Sequence, residues 1–426
     1  MIQCFPEKSM ATIIKNVSVV NFDGVVIGDI VMRDGVFAQV GGTAGCDAGD
    51  QVIDAAGLYA FPGLVDMHVH LRDPGQTHKE NILSGCAAAA AGGVTSLVCM
   101  PNTVPAVDSA GTVAYIIDRA KETGLHVYPA AAITSGLSGK SCCDYDALKK
   151  AGAAALSDDG RPVESDEMLL RALEEGKRLG LPVLCHCEDL TQAAGGKVHE
   201  GRASELLGVK GMSSASEYGD IDRTIRLAES VGAPVHICHV STEESISVIR
   251  QAKARGAKVT CETAPHYFVY TCDKVLGRDA DYRMNPPLRE EADRLAVIEG
   301  LLDGTIDAIA TDHAPHSPEE KADFVKAPNG VIGMETSLAA VLTYLRDTLS
   351  LSDVVKLMSY RPAGIMGIPA GEIRVGAPAD LALVDLNEQW TVDPGKLHGK
   401  SVNAVFKGET LTGKVKATFS EGRRVF

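Results

Sequence analysis

Eight short apolar runs, each ending in polar residues, recur along the middle of the chain and constrain its fold more than any other feature. They are Gly63–His70, Val94–Met100, His126–Ile133, Ala153–Ser157, Pro182–His186, Val235–Val240, Lys258–Glu262 and Ile306–Thr311. Segments with helical character separate most of them, as at Glu167–Leu179, Asp222–Val231 and Glu243–Arg255. Strands alternating with helices indicate βαβ units and a parallel sheet. Strands covered on both faces read as continuous apolar runs, as these do. Eight such units predict an α/β fold, a closed (β/α)8 TIM-type barrel. The alternative is a doubly wound open sheet, but no GxGxxG follows an early strand.

The two ends of the chain read differently. Short strands are expected at Thr12–Val20, Val25–Arg33 and Val52–Asp54, with a turn at Phe22-Asp23-Gly24. The other end repeats the pattern at Ala382–Asp385, Val402–Lys407 and Lys414–Phe419. We therefore expect a small β-sandwich built by both termini, from residues 1–60 and 369–426, flanking a barrel over 61–368. Ile82–Val107 carries no charged residue and is long enough to span a membrane. It is interrupted by Gly92-Gly93 and Pro101-Asn102, so it reads as an Ala-rich helix, a turn and a buried strand. No membrane partner is expected.

Charge removes other classes. The formal net charge is −15 and there is no basic run, which argues against a nucleic-acid partner. The 11 cysteines lie mostly in apolar runs, and Met1–Met10 lacks a basic stretch followed by an apolar one. Both point to a reducing, cytoplasmic setting.

Functional groups in a barrel collect at the carboxyl ends of its strands. The first strand ends Asp66-Met67-His68-Val69-His70-Leu71-Arg72. Residues two apart share a face, so His68 and His70 can both point into the barrel mouth. The fourth strand ends Ser157-Asp158-Asp159-Gly160, the fifth Cys185-His186-Cys187-Glu188-Asp189, the sixth Cys238-His239-Val240-Ser241-Thr242 and the eighth Thr311-Asp312-His313-Ala314-Pro315-His316. Any one of these is as readily a turn Asp or a strand-capping His. Their recurrence at corresponding strand ends is what points to a site. Imidazole and carboxylate ligands suit zinc. The set is too large for one catalytic zinc and fits two ions about 3.5–4 Å apart. Cys185 and Cys187, on alternate positions to His186, should face the core, and His236 should point away from His239. His266 reads as a structural histidine or a support for the ligands. Ser317–Gly330 reads as a lid or as a plain surface loop.

With these residues placed, the chain resembles class I dihydroorotases of the amidohydrolase superfamily. The resemblance rests on HxHxR, Met100-Pro101-Asn102-Thr103, SDDG, HCED, HVST, Asn285-Pro286-Pro287-Leu288-Arg289 and TDHAPH. It runs from about Phe61 to Glu335 and extends to the terminal β domain. It implies two zinc ions per chain, one held by His68 and His70 and the other by His186 and His239. Relatives that bridge the metals with a carbamylated lysine differ here, because Asp-Asp-Gly holds that place. Spacing to His186 favours Asp159 over Asp158, while Lys149 and Lys150 should face solvent. Asp312 matches a metal ligand and the catalytic proton shuttle. Arg72, Asn102 and His316 match groups that hold a substrate carboxylate, Asn285 a contact to the substrate ring, and Gly330 and Val331 the pocket wall. The implied reaction is reversible hydrolysis of dihydroorotate to N-carbamoyl-L-aspartate by hydroxide held between the metals. A homodimer and an association with aspartate transcarbamoylase are the implied partners. The alternatives are another cyclic amidase of the hydantoinase or allantoinase type, or a non-catalytic dihydroorotase-like subunit of the transcarbamoylase.

Overall fold

Continuous burial is what makes the middle of the chain a barrel. The computed structural model describes residues 9–426, so the reading of the chain's start at Met1–Met10 falls mostly outside the described residues. The first barrel strand is Leu64–Val69 and the second Val94–Cys99, both buried at every position. His126–Ala132 and Ala155–Ser157 follow as the third and fourth. The fifth to eighth are Leu184–Cys185, Val235–Ile237, Val259–Thr263 and Ala308–Ile309. All pair in parallel with their neighbours, in two sets of four. Leu156 bridges Val183 and Val69 bridges His313, which joins the two sets and closes the cylinder. Met67, Val98, Ala130, Ala155, Leu184 and Ala308 fill its interior. A larger apolar layer, including Leu97, Ile116, Leu173 and Ile249, lies between strands and helices.

The helices fall where periodicity predicts them. Asp166–Leu179 starts under a Ser165 cap and stops at a left-handed Gly180. Ala215–Val231 begins earlier than expected, and Glu243–Ala254 is capped by Thr242. The uncharged stretch is a helix, Ile82–Ala91, then the buried second strand. Gly92 separates them, where a Cβ would meet the Met334 carbonyl oxygen at 2.2 Å. Among the described residues no helix is long and apolar enough to cross a membrane.

Both termini build one eight-stranded sheet. Thr12–Asn21 pairs antiparallel with Gly24–Arg33 on one edge. Its other edge pairs in parallel with Gln51–Asp54 and then with Tyr59–Pro62. Tyr59–Pro62 pairs with Leu381–Thr391, which pairs with Thr410–Ser420. Ile14, Val19, Ile30, Phe37, Leu383 and Phe419 form the core of this sandwich. The strand expected at Val402–Lys407 is absent. There only Ala404 bridges Ile332, and Asn403 Nδ2 donates to the carbonyls of Ala314 and Gly330. The segment is drawn to the barrel mouth instead of to the sheet.

One buried ion pair fixes the exit of the sixth strand. Arg289 Nη2 lies 3.1 Å from Glu217 Oε2, with both side chains almost fully buried. Glu217 also accepts from the Ser241 and Thr242 amides at 2.8 and 3.1 Å. Burial opposes ionisation of Glu217, but Arg289 and these hydrogen bonds hold its carboxyl below the usual range. Removing one partner of such a pair costs about 3–5 kcal/mol. Glu217→Ala should lower stability by that order in urea unfolding. The depressed carboxyl makes its contribution present above the unfolded carboxyl value of about 4.3 and lost as pH falls through the folded value. Wild-type stability should therefore decline on the acid side more steeply than that of the variant.

Candidate metal centre and binding cavity

The strand ends converge on two carboxylates. Asp159 Oδ1 lies 3.3 Å from His68 Nε2 and 3.6 Å from both His186 Nδ1 and His239 Nε2, while Oδ2 is 3.4 Å from His70 Nε2. Asp312 Oδ1 lies 3.2 Å from His70 Nε2 and 3.6 Å from His68 Nε2. Six side chains separated by up to 244 positions thus point at one centre. Asp158 does not join them. It accepts from the Ile133 and Thr134 amides at 2.8 and 3.0 Å and from Thr134 Oγ1, tying the third strand to the fourth. Lys149 and Lys150 are exposed.

The donor set fits metal ions on its own chemistry. His68 Nε2 and Asp159 Oδ1 are buried with no hydrogen-bond partner. His68, Asp159 and His239 form one group with ligand atoms close enough to share an ion, and His68, His70 and Asp312 form another. The electrostatics favour positive charge at the centre. Burial opposes charging of His68, yet the Asp159 carboxylate raises its pKa well above the ordinary value. Burial likewise opposes charging of His186, which Asp159 and Glu188 raise to about 10. Against its own desolvation, Asp159 is held well below the carboxylate range by these imidazoles, and Asp312 at about 2.

A cavity of about 220 Å³ opens over this centre. His70, Asp159, His186, His239 and Asp312 line its floor, with Arg72, Asn102, Gly160, Asn285, Ala314, His316, Asn329 and Gly330 around it. Arg72 is buried, which lowers its pKa to about 10, and its Nη2 lies 3.4 Å from His316 Nε2. Burial and the nearby cations Arg72 and Lys79 lower His316 to about 3, so it is neutral. Gly330 has φ 134°, and a Cβ there would come within 2.7 Å of Ala314 Cβ and 3.1 Å of His316 Nε2. Val331 lies outside this lining, buried, its carbonyl accepting from the Ala314 amide at 2.7 Å. Ser317–Gly330 is pinned against the mouth. Lys321 Nζ donates to the Gly330 and Pro328 carbonyls, and Arg283 to those of Phe324 and Val325.

Other placements depart from the sequence reading. His236 does not point away from the centre. The sixth strand stops at Ile237 and His239 has a left-handed φ of 38°, so strand alternation does not reach it. Instead, His236 Nε2 sits 3.4 Å from Glu262 Oε2 inside the barrel. Glu262 lies in no motif, and Glu188, although part of HCED, carries no assigned role in the sequence reading. Glu262 Oε1 lies 2.7 Å from His68 Nδ1, and Glu188 Oε2 accepts from His186 Nε2 and Asn285 Nδ2, both at 3.1 Å. Cys185 and Cys187 are buried in the core as expected. His266 is buried behind Asp312, and desolvation lowers it to about 4.

Comparison with known proteins converges on one group. A family model described as Dihydro-orotase-like matches residues 57–245. The chain is 48% identical over 401 residues to a protein of Citrifermentans bemidjiense named dihydroorotase, covering 93% of this chain and 95% of that one. It is 46% identical over 409 residues to a dihydroorotase of Acetivibrio thermocellus, covering 95% of each. Among solved structures it is similar to an L-hydantoinase (dihydropyrimidinase) from Arthrobacter aurescens, with TM-score 0.88 and 27% identity over 97% of this chain and 96% of that one.

Proposed function

The chain belongs to the dihydroorotase family, and from that premise we propose that it interconverts dihydroorotate and N-carbamoyl-L-aspartate in pyrimidine biosynthesis. The reaction is a reversible cyclic-amide hydrolysis. The observation that carries this reading is the polarity of the cavity, with two ionised carboxylates among three imidazoles at one end and a buried arginine at the other. The absence of a lysine at the fourth strand end, where Asp159 stands, supports this branch over a hydantoinase.

His68 and His70 would hold one zinc ion and His186 and His239 a second, with Asp159 and Asp312 as further ligands. When bound, two such cations would polarise the amide carbonyl and would lower the pKa of water enough to supply hydroxide near neutral pH. Asp312, ionised at neutral pH, takes the proton of the attacking water and returns it to the leaving ring nitrogen. Arg72 presents a planar fork to the substrate carboxylate, with neutral His316 and Asn102 beside it. Asn102 Oδ1 also lies 2.8 Å from His70 Nδ1, so one side chain serves both the clamp and a metal ligand. Asn285, held by Glu188, contacts the ring. Gly330 forms the wall beside His316, and Val331 backs it. Fixing the carboxylate brings the scissile carbonyl to the centre, a gain in positioning. A homodimer, association with aspartate transcarbamoylase and a cytoplasmic location belong to the same reading.

Purified, zinc-loaded protein should interconvert the two compounds, stop on chelation and leave a hydantoin uncleaved. Cleavage of the hydantoin in place of dihydroorotate would assign the chain to the other branch. Arg72→Met should raise KM at least tenfold with two metals retained, whereas Asp312→Asn should reduce kcat by about 100-fold or more. Asp159→Ala should lose bound metal while staying folded. Asp158→Ala should keep its metal but lose about 1–3 kcal/mol for each backbone amide left unpaired, as read by metal analysis and urea unfolding.

A further inference from the structure

Behind His68 runs a chain of buried polar groups that the proposed chemistry does not use. Glu262 closes the seventh strand, and both its oxygens face imidazoles. Oε1 is 2.7 Å from His68 Nδ1 and Oε2 is 3.4 Å from His236 Nε2. His236 Nδ1 is in turn 2.8 Å from Thr260 Oγ1. The side chains of His68, His236 and Glu262 are at most 2% exposed. His236 and Thr260 are register partners on adjacent parallel strands, so the sheet itself sets the spacing.

The proton positions along this chain follow from donor and acceptor counts. A carboxylate only accepts, so His68 donates from Nδ1 to Oε1, whereas His236 Nε2 faces Oε2 at 3.4 Å without a formed hydrogen bond and would carry its proton toward it. A neutral His236 that donates from Nε2 must accept at Nδ1, and the Thr260 hydroxyl is the donor in reach. A neutral His68 that donates from Nδ1 has a bare lone pair on Nε2. That atom faces Asp159 and Asp312 and has no hydrogen-bond partner. The other imidazole of the pair is oriented differently, since His70 Nδ1 meets the neutral amide oxygen of Asn102.

We propose that Glu262, seated by His236 and Thr260, is a positioning residue that locks His68 in its Nδ1-protonated tautomer and thereby sets the affinity of the ion His68 holds. The inference rests on the metal reading of His68 given above. A carboxylate behind a ligating histidine fixes the ring and makes it a better donor, and losing such a partner typically costs about 10- to 100-fold in metal affinity. His236 adds a weaker, electrostatic restraint, because its Nε2 faces Oε2 at 3.4 Å.

The test compares the unaltered protein with Glu262→Ala, Glu262→Gln and His236→Asn. Zinc affinity is measured by chelator competition, the His68 Nδ1–H signal by 15N NMR of the zinc-loaded protein, and folding by circular dichroism. Glu262→Ala should weaken zinc binding about 10- to 100-fold and move the His68 Nδ1–H signal to that of a ring without a carboxylate partner. Glu262→Gln, whose amide oxygen can still accept from Nδ1, should fall between the two. His236→Asn keeps the carboxylate and should show a smaller loss in the same direction, which carries the test if Glu262→Ala does not fold. Folded variants with unchanged zinc affinity and an unchanged His68 Nδ1–H signal overturn the proposal alone. Failure of the unaltered protein to bind zinc overturns the metal reading and the proposal with it.

Discussion

The seam between the first and eighth strands is the constraint on which the site depends. Asp66 accepts from the Thr311 amide at 3.1 Å and its hydroxyl at 2.6 Å, and the His70 amide donates to the His313 carbonyl at 2.8 Å. These bonds join residues more than 240 positions apart. They place the His68/His70 pair against Asp312, which no local interaction could do. An eight-stranded parallel cylinder has no free edge, so a mismatch at this seam would be shared by every other strand pair. The chemistry is therefore assembled by the last contact that closes the fold.

Closure alone does not aim the side chains. Arg72, His239 and Asp312 all adopt left-handed backbone, with φ of 59°, 38° and 47°. Each such residue costs on the order of 1–3 kcal/mol and persists only where its surroundings over-determine it. The surroundings do so here. Glu217 ties down the amides that follow His239, Asp66 ties down Thr311 just before Asp312, and the Pro315 carbonyl accepts from Arg72 Nε at 3.2 Å. The curled strand ends turn their side chains to a common centre. The buried ion pair of Glu217 and Arg289 is thus part of the site although neither residue lines the cavity.

This division explains what could be read from the sequence. The barrel was legible because strands buried on both faces appear as unbroken apolar runs, and the residues that meet at its mouth because His and Asp recur just past those runs. The supports were not. Glu262 ends a run as any polar residue would, and only the tertiary structure puts it behind His68. His236 was misplaced because period-2 alternation holds within a strand and this strand ends before His239. Val402–Lys407 has the alternation of a strand, but its Asn403 is taken up by carbonyls beside the cavity. Local pattern reports which residues are buried; it does not report which buried polar groups meet.

The cavity's polarity also bears on selectivity. Arg72 is 7% exposed and forms no ion pair among the described residues, being held only by a carbonyl and a neutral histidine. Lys79 stands behind His316, with its own charge matched by Glu320 at 2.9 Å. Arg72 is therefore a buried positive charge without a direct ion pair, stabilised only at a distance by Asp312, Glu320 and Asp159. In the proposed reaction the substrate carboxylate supplies the missing partner and is drawn to Arg72, which leaves the ring amide over Asp312. A hydantoin lacking a carboxylate would leave Arg72 buried and unpaired in the complex. Sites built to pair a polar group reject analogues that lack it far more strongly than apolar pockets reject a changed methylene. In the proposed reaction, discrimination between two cyclic amides of similar size thus follows from the arginine at one end of the cavity, whose charge only the substrate with a carboxylate pairs.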